Sequence, residues 1–476
     1  MVRESLILIF LNLLLAVLLP CQLPAQEISP SEFLAYKAVI GRSGYDRGSY
    51  NLRPEIEAYL ESYDAFLHAL LTGTPTSHEK FEVIAEQSAN RIGEDQLPLH
   101  LFLQNEIGLQ RAFVKLKFGQ ELASLWQMRQ SYRIARENIT LYPDYIPFQR
   151  TWGLLQILVG AIPDNYQWVP RIFGFTGSIH DGQELLQKVP GDHWLYGESQ
   201  VILQLTSSYL LEDSKHAVQD FRKLINSGWD SPMFSYLYMT VLIRNHQAAE
   251  AIQHFNDHRP HIPLAYYLAG NAYLQAGEYA MATKIFKQFE GEYAGEDFRK
   301  DTKYKLFLSS YLSGNKTLAA EYFSQISIIG SISTESDRYA AKAVESGYPN
   351  ATIMRIRLAT DGGFYRKAEE LVTQSPLEDF KTKEEQVELI YRKARLYHFT
   401  NKPDKAIQAY LQTIEMQDKE NWYFAPNSCL QLGYLYLDKN ERSLAQEYFR
   451  KTFDYRAYEY KKGIDRKAHS ALVTYF

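Results

Sequence analysis

The sequence contains very little cysteine: only Cys21 and Cys429 occur among its 476 residues. Because Cys21 lies in an N-terminal segment that we expect to be removed, the mature chain would keep one cysteine and could form no internal disulfide. The excess of negative over positive side chains is also small. The net charge of -5 is small for this length and gives no support for nucleic-acid binding. Aromatic residues, in contrast, reach 14%, which argues against long disordered regions.

Catalytic motifs are missing as well. The chain has no phosphate-binding G-x-x-x-x-G-K-[ST], no zinc-protease H-E-x-x-H, no G-x-S-x-G and no G-x-G-x-x-G. The stretch from Ser77 to Lys80 matches only the short pattern S-x-x-K, and no K-T-G accompanies it. We therefore predict no catalytic residues, no cofactor and a protein that is not an enzyme.

One histidine cluster invites a metal interpretation. His254 and His258 are one helical turn apart, and Asp257 and His261 lie nearby. This spacing can place two imidazoles on one metal ion. Histidines also interact favourably with the C-terminal end of a helix. We favour the helix end and predict no metal site.

The N-terminus resembles a secretory signal peptide. The stretch from Leu6 to Leu19 is apolar apart from Asn12, and it is shorter than the ~20 residues that a membrane-spanning helix needs. We predict cleavage after Ala25 and an exported protein, periplasmic if the source is a Gram-negative bacterium, whose mature chain does not span a membrane. The alternative is a lipid anchor on Cys21, which the preceding proline disfavours.

A pattern of large and small residues recurs through the C-terminal part of the chain. In its clearest copy, Tyr266, Gly270 and Tyr273 share one face of a first helix, and Ala282 and Phe286 share one face of a second helix. We expect Gly270 and Ala282 to lie at the closest approach of the two helices. Three further copies contain Tyr304, Tyr311, Ala319 and Phe323; Ile390, Ala394, Tyr397, Ala406 and Tyr410; and Cys429, Leu432, Gly433, Tyr436, Ala445 and Phe449. Weaker copies end in Ala217/Phe221, Ala251/Phe255 and Ala368/Val372.

The order aromatic, Leu-Gly, Tyr, then Ala and an aromatic resembles the tetratricopeptide repeat (TPR). The resemblance covers roughly residues 200 to 476. Tyr266 and Tyr304 are separated by 38 residues, more than the 34 typical of the family. The chain is also similar overall to secreted TPR proteins of Bacteroidota. We therefore predict an all-α fold, a solenoid of TPR-like helix hairpins with an irregular α-helical N-terminal region.

The predicted organisation has three parts: a signal peptide over 1–25, a helical N-terminal region over 26–195, and a repeat array over 196–476. Within the second part, the segment 141–194 is rich in Pro, Gly and Trp and should form short helices joined by rigid turns. It is similar to a stretch of the eukaryotic TPR proteins of inclusion-body clearance, through Pro163, Gly174, Phe175, Gly177 and Gly182. The basic stretch 450–469 should form a single cap helix.

Local signals support these helices. The stretches from Ser29 to Glu32 and from Thr382 to Glu385 read as capping boxes. Pro403 suits a first helical turn. The turns hold small or flexible residues where a positive φ is often needed, namely Gly277, Gly363, Asn401 and Asn440.

The TPR resemblance also implies a binding surface. In such arrays the first helix of each hairpin faces a concave side, and fixed positions point into it. The corresponding positions here are Tyr267, Asn271, Gln275, Lys305, Ser309, Tyr391, Arg395, His398, Asn427 and Tyr434. This polar and aromatic set suits the backbone or a carboxylate of a peptide.

We therefore expect a non-enzymatic scaffold that binds a protein or peptide partner. A glycan-binding protein of the outer-membrane uptake type is the alternative, since tyrosine and tryptophan rings can stack on sugars. The poor lipid-anchor signal disfavours that alternative.

Overall fold

The computed structural model describes residues 28–162, 168–211 and 214–476, and these residues form helices with no strand among them. The predicted all-α fold is confirmed. The predicted signal peptide over 1–25, Cys21 and Pro163 lie outside the described residues. Two compact units divide between Val241 and Leu242. This division concerns packing and not the repeat pattern, so the predicted start of the array at residue 196 stays a prediction.

The first unit is built mainly from helices that pack as sequential pairs, α2 with α3, α4 with α5, α6 with α8 and α9 with α10. The bounds of its helices are α1 Pro30–Gly41, α2 Pro54–Thr72, α3 Pro75–Ile92, α4 Pro98–Lys117, α5 Glu121–Leu141, α6 Ile146–Gly160, α7 Trp168–Phe173, α8 Ile179–Gln187, α9 Tyr196–Tyr209 and α10 Ser214–Leu224. A π-helical turn, Ile225–Trp229, follows.

Helix α11, Pro232–Arg244, crosses the division, and the second unit continues with hairpins. The bounds are α12 Ala248–His258, α13 Pro263–Ala276, α14 Tyr279–Glu292, α15 Arg299–Leu312, α16 Lys316–Ile328, α17 Glu335–Ser346, α18 Ala351–Asp361, α19 Tyr365–Thr373, α20 Lys383–Phe399, α21 Pro403–Gln417, α22 Phe424–Asp438, α23 Arg442–Lys451 and α24 Lys461–Tyr475. Helix α17 belongs to none of the predicted repeat copies.

The alanine of every second helix is fully buried, which confirms the predicted repeat. All seven have no exposed surface: Ala217, Ala251, Ala282, Ala319, Ala368, Ala406 and Ala445. A side chain of one carbon at this position lets the two helices of a hairpin approach closely, and the larger residues around it exclude water.

Phe286 covers Gly270 at the middle of this hairpin. A Cβ atom placed on Gly270 would lie 2.7 Å from the Phe286 ring. Phe286 follows the buried Ala282 by one helical turn. The Tyr273 hydroxyl donates to Asn256 of helix α12 at 3.0 Å.

The predicted helix ends are confirmed. Ser29 and Thr382 form capping boxes with Glu32 and Glu385, and Pro403 lies in the first turn of α21. The four turn residues have positive φ: Gly277 76°, Gly363 81°, Asn401 55° and Asn440 59°. Because positive φ is unfavourable for most side chains, these residues define where the hairpins turn.

The predicted single cap helix over 450–469 is wrong. Helix α23 ends at Lys451, a 3-10 turn covers Thr452–Asp454, and helix α24 begins only at Lys461. The chain between them is extended or bent. Helix α24 is not merely a solvated cap, since Ile464 and Ala468 pack with Phe449 in one apolar cluster.

The segment 141–194 holds the short helices that were expected, α7 and α8, after the longer α6. Helices α6 and α8 approach closely at two glycines. A Cβ atom on Gly153 would lie 3.0 Å from the carbonyl oxygen of Gly182. Glycine is needed at this crossing because a larger residue would push the two backbones apart.

Candidate functional site

Three of the ten predicted surface residues are buried instead of pointing outward. Tyr267 is 8% exposed, Tyr391 is 2% exposed and Ser309 has no exposed surface. Each first helix packs against the neighbouring hairpin as well as its own partner helix, so positions beside the motif residues are covered. The expectation that these three project from their helices is wrong, although whether they affect binding stays untested.

Tyr267 shows what replaces the predicted role. Its hydroxyl donates a 2.6 Å hydrogen bond to Asp301 Oδ2, and its ring lies 4.5 Å from that of Phe298. Burial raises the pKa of Asp301, against the opposing effects of Lys305 and this hydrogen bond. Tyr267 therefore joins helix α13 to helix α15 through a buried polar contact.

Tyr391 joins helices in the same manner. The Nδ2 of Asn427, on α22, donates to the Tyr391 hydroxyl at 2.6 Å. Tyr391 also packs against Phe424 with ring centroids 5.4 Å apart. Asn427 is half-buried. Tyr391 and Asn427, both predicted surface residues, therefore link helix α20 to helix α22.

The remaining predicted residues are half-buried, and several contact their own helix. Asn271 Nδ2 donates to the Tyr267 carbonyl at 2.8 Å, and Ser309 Oγ donates to the Lys305 carbonyl at 2.8 Å. Gln275 packs against Gly362, where an added Cβ would lie 2.7 Å from its own Cβ. The ring of Tyr434 lies edge-on to that of Phe449 at 5.1 Å. The role of these half-buried residues in binding stays a prediction.

Arg395 and His398 come closest to the predicted role. The Arg395 guanidinium lies 4.4 Å from the centre of the Phe399 ring and donates to Gln431 Oε1 at 2.9 Å. The ring of His398 lies 3.3 Å from the Tyr410 hydroxyl. Burial and the neighbouring Arg395 lower the pKa of His398 to about 4, so this imidazole is neutral at pH 7.

A cluster of arginines and tyrosines that the repeat pattern did not indicate lies close by. We call it the arginine–tyrosine cluster and define it as Tyr304, Tyr339, Arg357, Arg392 and Tyr423. Arg357 Nη1 donates to the Tyr339 hydroxyl at 2.7 Å. Arg392 Nη2 donates to the Tyr423 hydroxyl at 2.8 Å. The Tyr304 and Tyr339 rings meet edge-on at 5.7 Å. Tyr423 also interacts electrostatically with Arg357, so residues on or beside α15, α17, α18, α20 and α22 lie close together.

The charges in this cluster are only partly balanced. Arg392 pairs with Glu388 at 2.6 Å. The nearest carboxylate recorded for Arg357, that of Asp361, is 3.7 Å away. Burial would raise the pKa of Tyr339, but the charge and hydrogen bond of Arg357 outweigh it and lower that pKa. The cluster therefore presents a positive charge among phenol hydroxyls, a suitable environment for a carboxylate.

Sequence reasoning missed the cluster because all its members except Tyr304 lie outside the motif positions. Tyr339 lies on α17, outside the predicted copies, and Arg357 lies in a weak copy. The stretch "YRKAR" did contain a signal, since Arg392 and Arg395 are three residues apart on one helix face. Only the tertiary structure shows which tyrosines accompany them.

The first unit has a charged cluster of its own, formed by Glu106, Arg150 and Glu198. Arg150 is 2% exposed. It forms a 2.8 Å ion pair with Glu106 and a second ion pair with Glu198. The hydroxyls of Tyr36 and Tyr63 both donate to Glu198, and the Thr151 hydroxyl donates to Glu106 at 2.6 Å. Burial raises the pKa of Glu106 despite Arg150. The three charged residues line a cavity of about 180 Å³.

The histidine cluster is packed within its helix. The rings of His254 and His258 stack with centroids 4.0 Å apart, and His258 Nδ1 lies 3.0 Å from the His254 carbonyl. No group of three or more histidine, cysteine, aspartate or glutamate residues in the described parts of the chain could hold a metal ion. The prediction that this cluster binds no metal remains untested. Cys429 is buried, and burial raises the pKa of its thiol to about 12.

Comparison with known families identifies the repeat. The tetratricopeptide repeat model matches residues 387–420 and 426–457, which correspond to hairpins α20/α21 and α22/α23. These two hairpins of the chain are therefore tetratricopeptide repeats. Such repeats indicate a protein-interaction scaffold, because stacked repeats create extended binding surfaces. No curated protein matches the chain at the level of sequence.

Solved structures show remote similarity. A human IFIT1 dimer with PPP-AAAA is 15% identical, with 90% of this chain and 96% of that chain covered and a TM-score of 0.32. A monomeric IFIT1 mutant with Gppp-AAAA is 14% identical, with 91% and 96% covered and a TM-score of 0.34. The APC/C hetero-tetramer Cut9-Hcn1 is 10% identical, with 89% and 96% covered and a TM-score of 0.25. None of the helices in 28–162, 168–211 and 214–476 combines the length and the apolarity that crossing a membrane requires.

Proposed function

We propose that this protein is an exported, non-enzymatic scaffold whose second unit binds a peptide or protein segment at the arginine–tyrosine cluster and the adjacent Arg395. The main support is the chemistry of Arg357 and Arg395. Both donate hydrogen bonds to neutral groups, the Tyr339 hydroxyl and the Gln431 side chain. Asp361 Oδ2 lies 3.7 Å from Arg357 Nε, and a carboxylate of the partner would compete with it for the guanidinium.

The surrounding tyrosines supply the second half of such a site. Tyr339 and Tyr423 are half-buried, so each offers one side of a ring together with a hydroxyl. Tyrosine and arginine are the residues that most often dominate the binding energy of protein interfaces. A partner segment would place a side chain against the rings and a carboxylate against the guanidiniums.

The proposal can be tested by selecting peptides from a displayed random library against the purified protein. Peptides enriched on the wild-type chain should bind the double variant Arg357→Gln/Arg395→Gln at least tenfold more weakly. Arg366→Gln is the matched control, because its side chain is 94% exposed on α19, and it should bind as wild type does. Equal binding to the double variant would show that the peptides bind elsewhere. Binding to a glycan array with no enriched peptide would favour the glycan alternative.

Export is proposed from the N-terminal sequence. Intact mass of the protein recovered from its source should correspond to a chain that begins at Gln26. A lipid-modified chain that begins at Cys21 would instead show a lipoprotein.

A further inference from the structure

A short piece of the chain lies against the site proposed above. Between the 3-10 turn Thr452–Asp454 and helix α24, residues 455–460 form no helix. Glu459 Oε1 lies 3.0 Å from Lys342 Nζ on α17. The ring of Tyr460 meets that of Tyr423 edge-on, with centroids 5.3 Å apart. The segment therefore contacts one member of the arginine–tyrosine cluster directly.

The phenol of Tyr460 is also within electrostatic reach of other members of the cluster. Burial raises the pKa of Tyr460, Glu459 and Tyr339 raise it further, and Arg357 opposes them. Tyr460, which follows Glu459, thus lies within electrostatic reach of the Arg357 guanidinium, which we propose for partner binding. The chain thus presents an aromatic ring to the cluster, while the preceding carboxylate pairs with Lys342 on the helix that carries Tyr339.

The contacts of this segment are weak. The Lys342 and Glu459 side chains are 51% and 32% exposed, and such ion pairs contribute little in water. Burial and several neighbouring carboxylates, Glu459 among them, raise the pKa of Glu384. The negative charges of Glu459 and Glu384 therefore repel each other. Tyr460 has φ +64°, an unfavourable conformation for a bulky residue. These features allow a partner to displace the segment.

We infer that the arginine–tyrosine cluster recognises a peptide segment in which an acidic residue directly precedes a tyrosine, and that Glu459 and Tyr460 occupy the site in its place. This inference rests on the proposed function. The acidic residue pairs with Lys342, and the tyrosine lies against Tyr423 beside Arg357. Because a tethered segment acts at an effective concentration of roughly millimolar, a free ligand must compete with it.

The test uses the full chain and a synthetic peptide of residues 456–462, RAYEYKK, with blocked ends. The variant Tyr460→Gly removes the competing ring and suits the positive φ at that position. Line broadening of the peptide tyrosine signals in NMR spectra should show at least tenfold tighter binding to Tyr460→Gly than to wild type. Tyr460→Asn is a second variant that also tolerates this φ, and circular dichroism confirms that both are folded.

Two matched controls identify the site. The peptide RAYEAKK, without the second tyrosine, should bind at least tenfold more weakly to Tyr460→Gly. Adding Arg357→Gln to that variant should also reduce the binding of RAYEYKK at least tenfold. Equal binding to wild type and Tyr460→Gly, or equal binding of the two peptides, would overturn the inference.

The selected library peptides separate this inference from the proposed function. If they require Arg357 and Arg395 but bind wild type and Tyr460→Gly equally, the function stands and the inference is wrong. If the library yields no peptide that depends on the two arginines, the proposed function itself fails.

Discussion

The Phe449 ring lies directly against the Cα atom of Gly433, and a methyl group on Gly433 would overlap it. Phe286 and Gly270 have the same relationship in hairpin α13/α14 of the same unit. In each case the glycine lies on the first helix and the aromatic ring on the second. The missing side chain at one position thus makes the space for the large side chain at the other.

This relationship predicts the effect of a small substitution. Gly433→Ala should lower the free energy of unfolding by roughly 1–3 kcal/mol, because the new methyl overlaps a ring that is itself fully buried. Urea denaturation measures the change. The matched control is Gly291→Ala, since nothing lies within 4 Å of the Cβ position there, and alanine favours a helix. A neutral result for Gly433→Ala would show that the hairpin is not packed as described.

A second prediction concerns Tyr267. Tyr267→Phe removes the hydroxyl that donates to the buried Asp301, and we expect a loss of about 1–3 kcal/mol in the free energy of unfolding. Tyr348→Phe is the control, because Tyr348 is 47% exposed, and it should change stability by less than ~0.5 kcal/mol. Binding of selected peptides should be unchanged in folded Tyr267→Phe. Weaker binding without a loss of stability would restore the role predicted from sequence.

A third prediction follows from His398, whose folded-state pKa of about 4 is lower than the ordinary value of 6.5. Between these values the unfolded chain binds a proton that the folded chain does not. The contribution of the neutral His398 to the free energy of unfolding should therefore be fully present above about pH 6.5. It should be lost as the pH is lowered toward 4.

The size of this effect is roughly 1–2 kcal/mol between pH 7 and pH 5, because His398 is only partly buried. Urea denaturation of His398→Gln over this range should show less pH dependence than wild type by that amount. His180→Gln, at a side chain that is 78% exposed, should behave as wild type does. Parallel curves for His398→Gln and wild type would contradict the prediction.

A fourth prediction concerns the charged cluster of the first unit. Arg150→Met removes the cation between two carboxylates and should destabilise the protein by about 3–5 kcal/mol, because it leaves buried negative charge without a partner. Adding Glu106→Gln and Glu198→Gln should recover part of this loss, since no net charge is then buried. If the triple variant were less stable than Arg150→Met, the hydrogen bonds rather than the charge balance would be decisive.

The sequence predicted much of the local structure. The capping boxes, the turn residues Gly277 and Asn401, and the buried alanines could all be read from short stretches, because helix ends and hairpin contacts involve residues close in sequence. The predicted surface was less accurate. Tyr267 and Tyr391 are covered by the next hairpin. The residue pattern of one helix does not show which other helix packs over it.

By itself, the sequence determined that this protein is a series of helix hairpins with small and aromatic residues at their contacts. The tertiary structure alone decided that Tyr304, Tyr339, Arg357, Arg392 and Tyr423 lie close together, and that Tyr460 lies beside them. The physical reason is that contacts between hairpins, which no short stretch of sequence specifies, determine which residues more than a hundred positions apart come together.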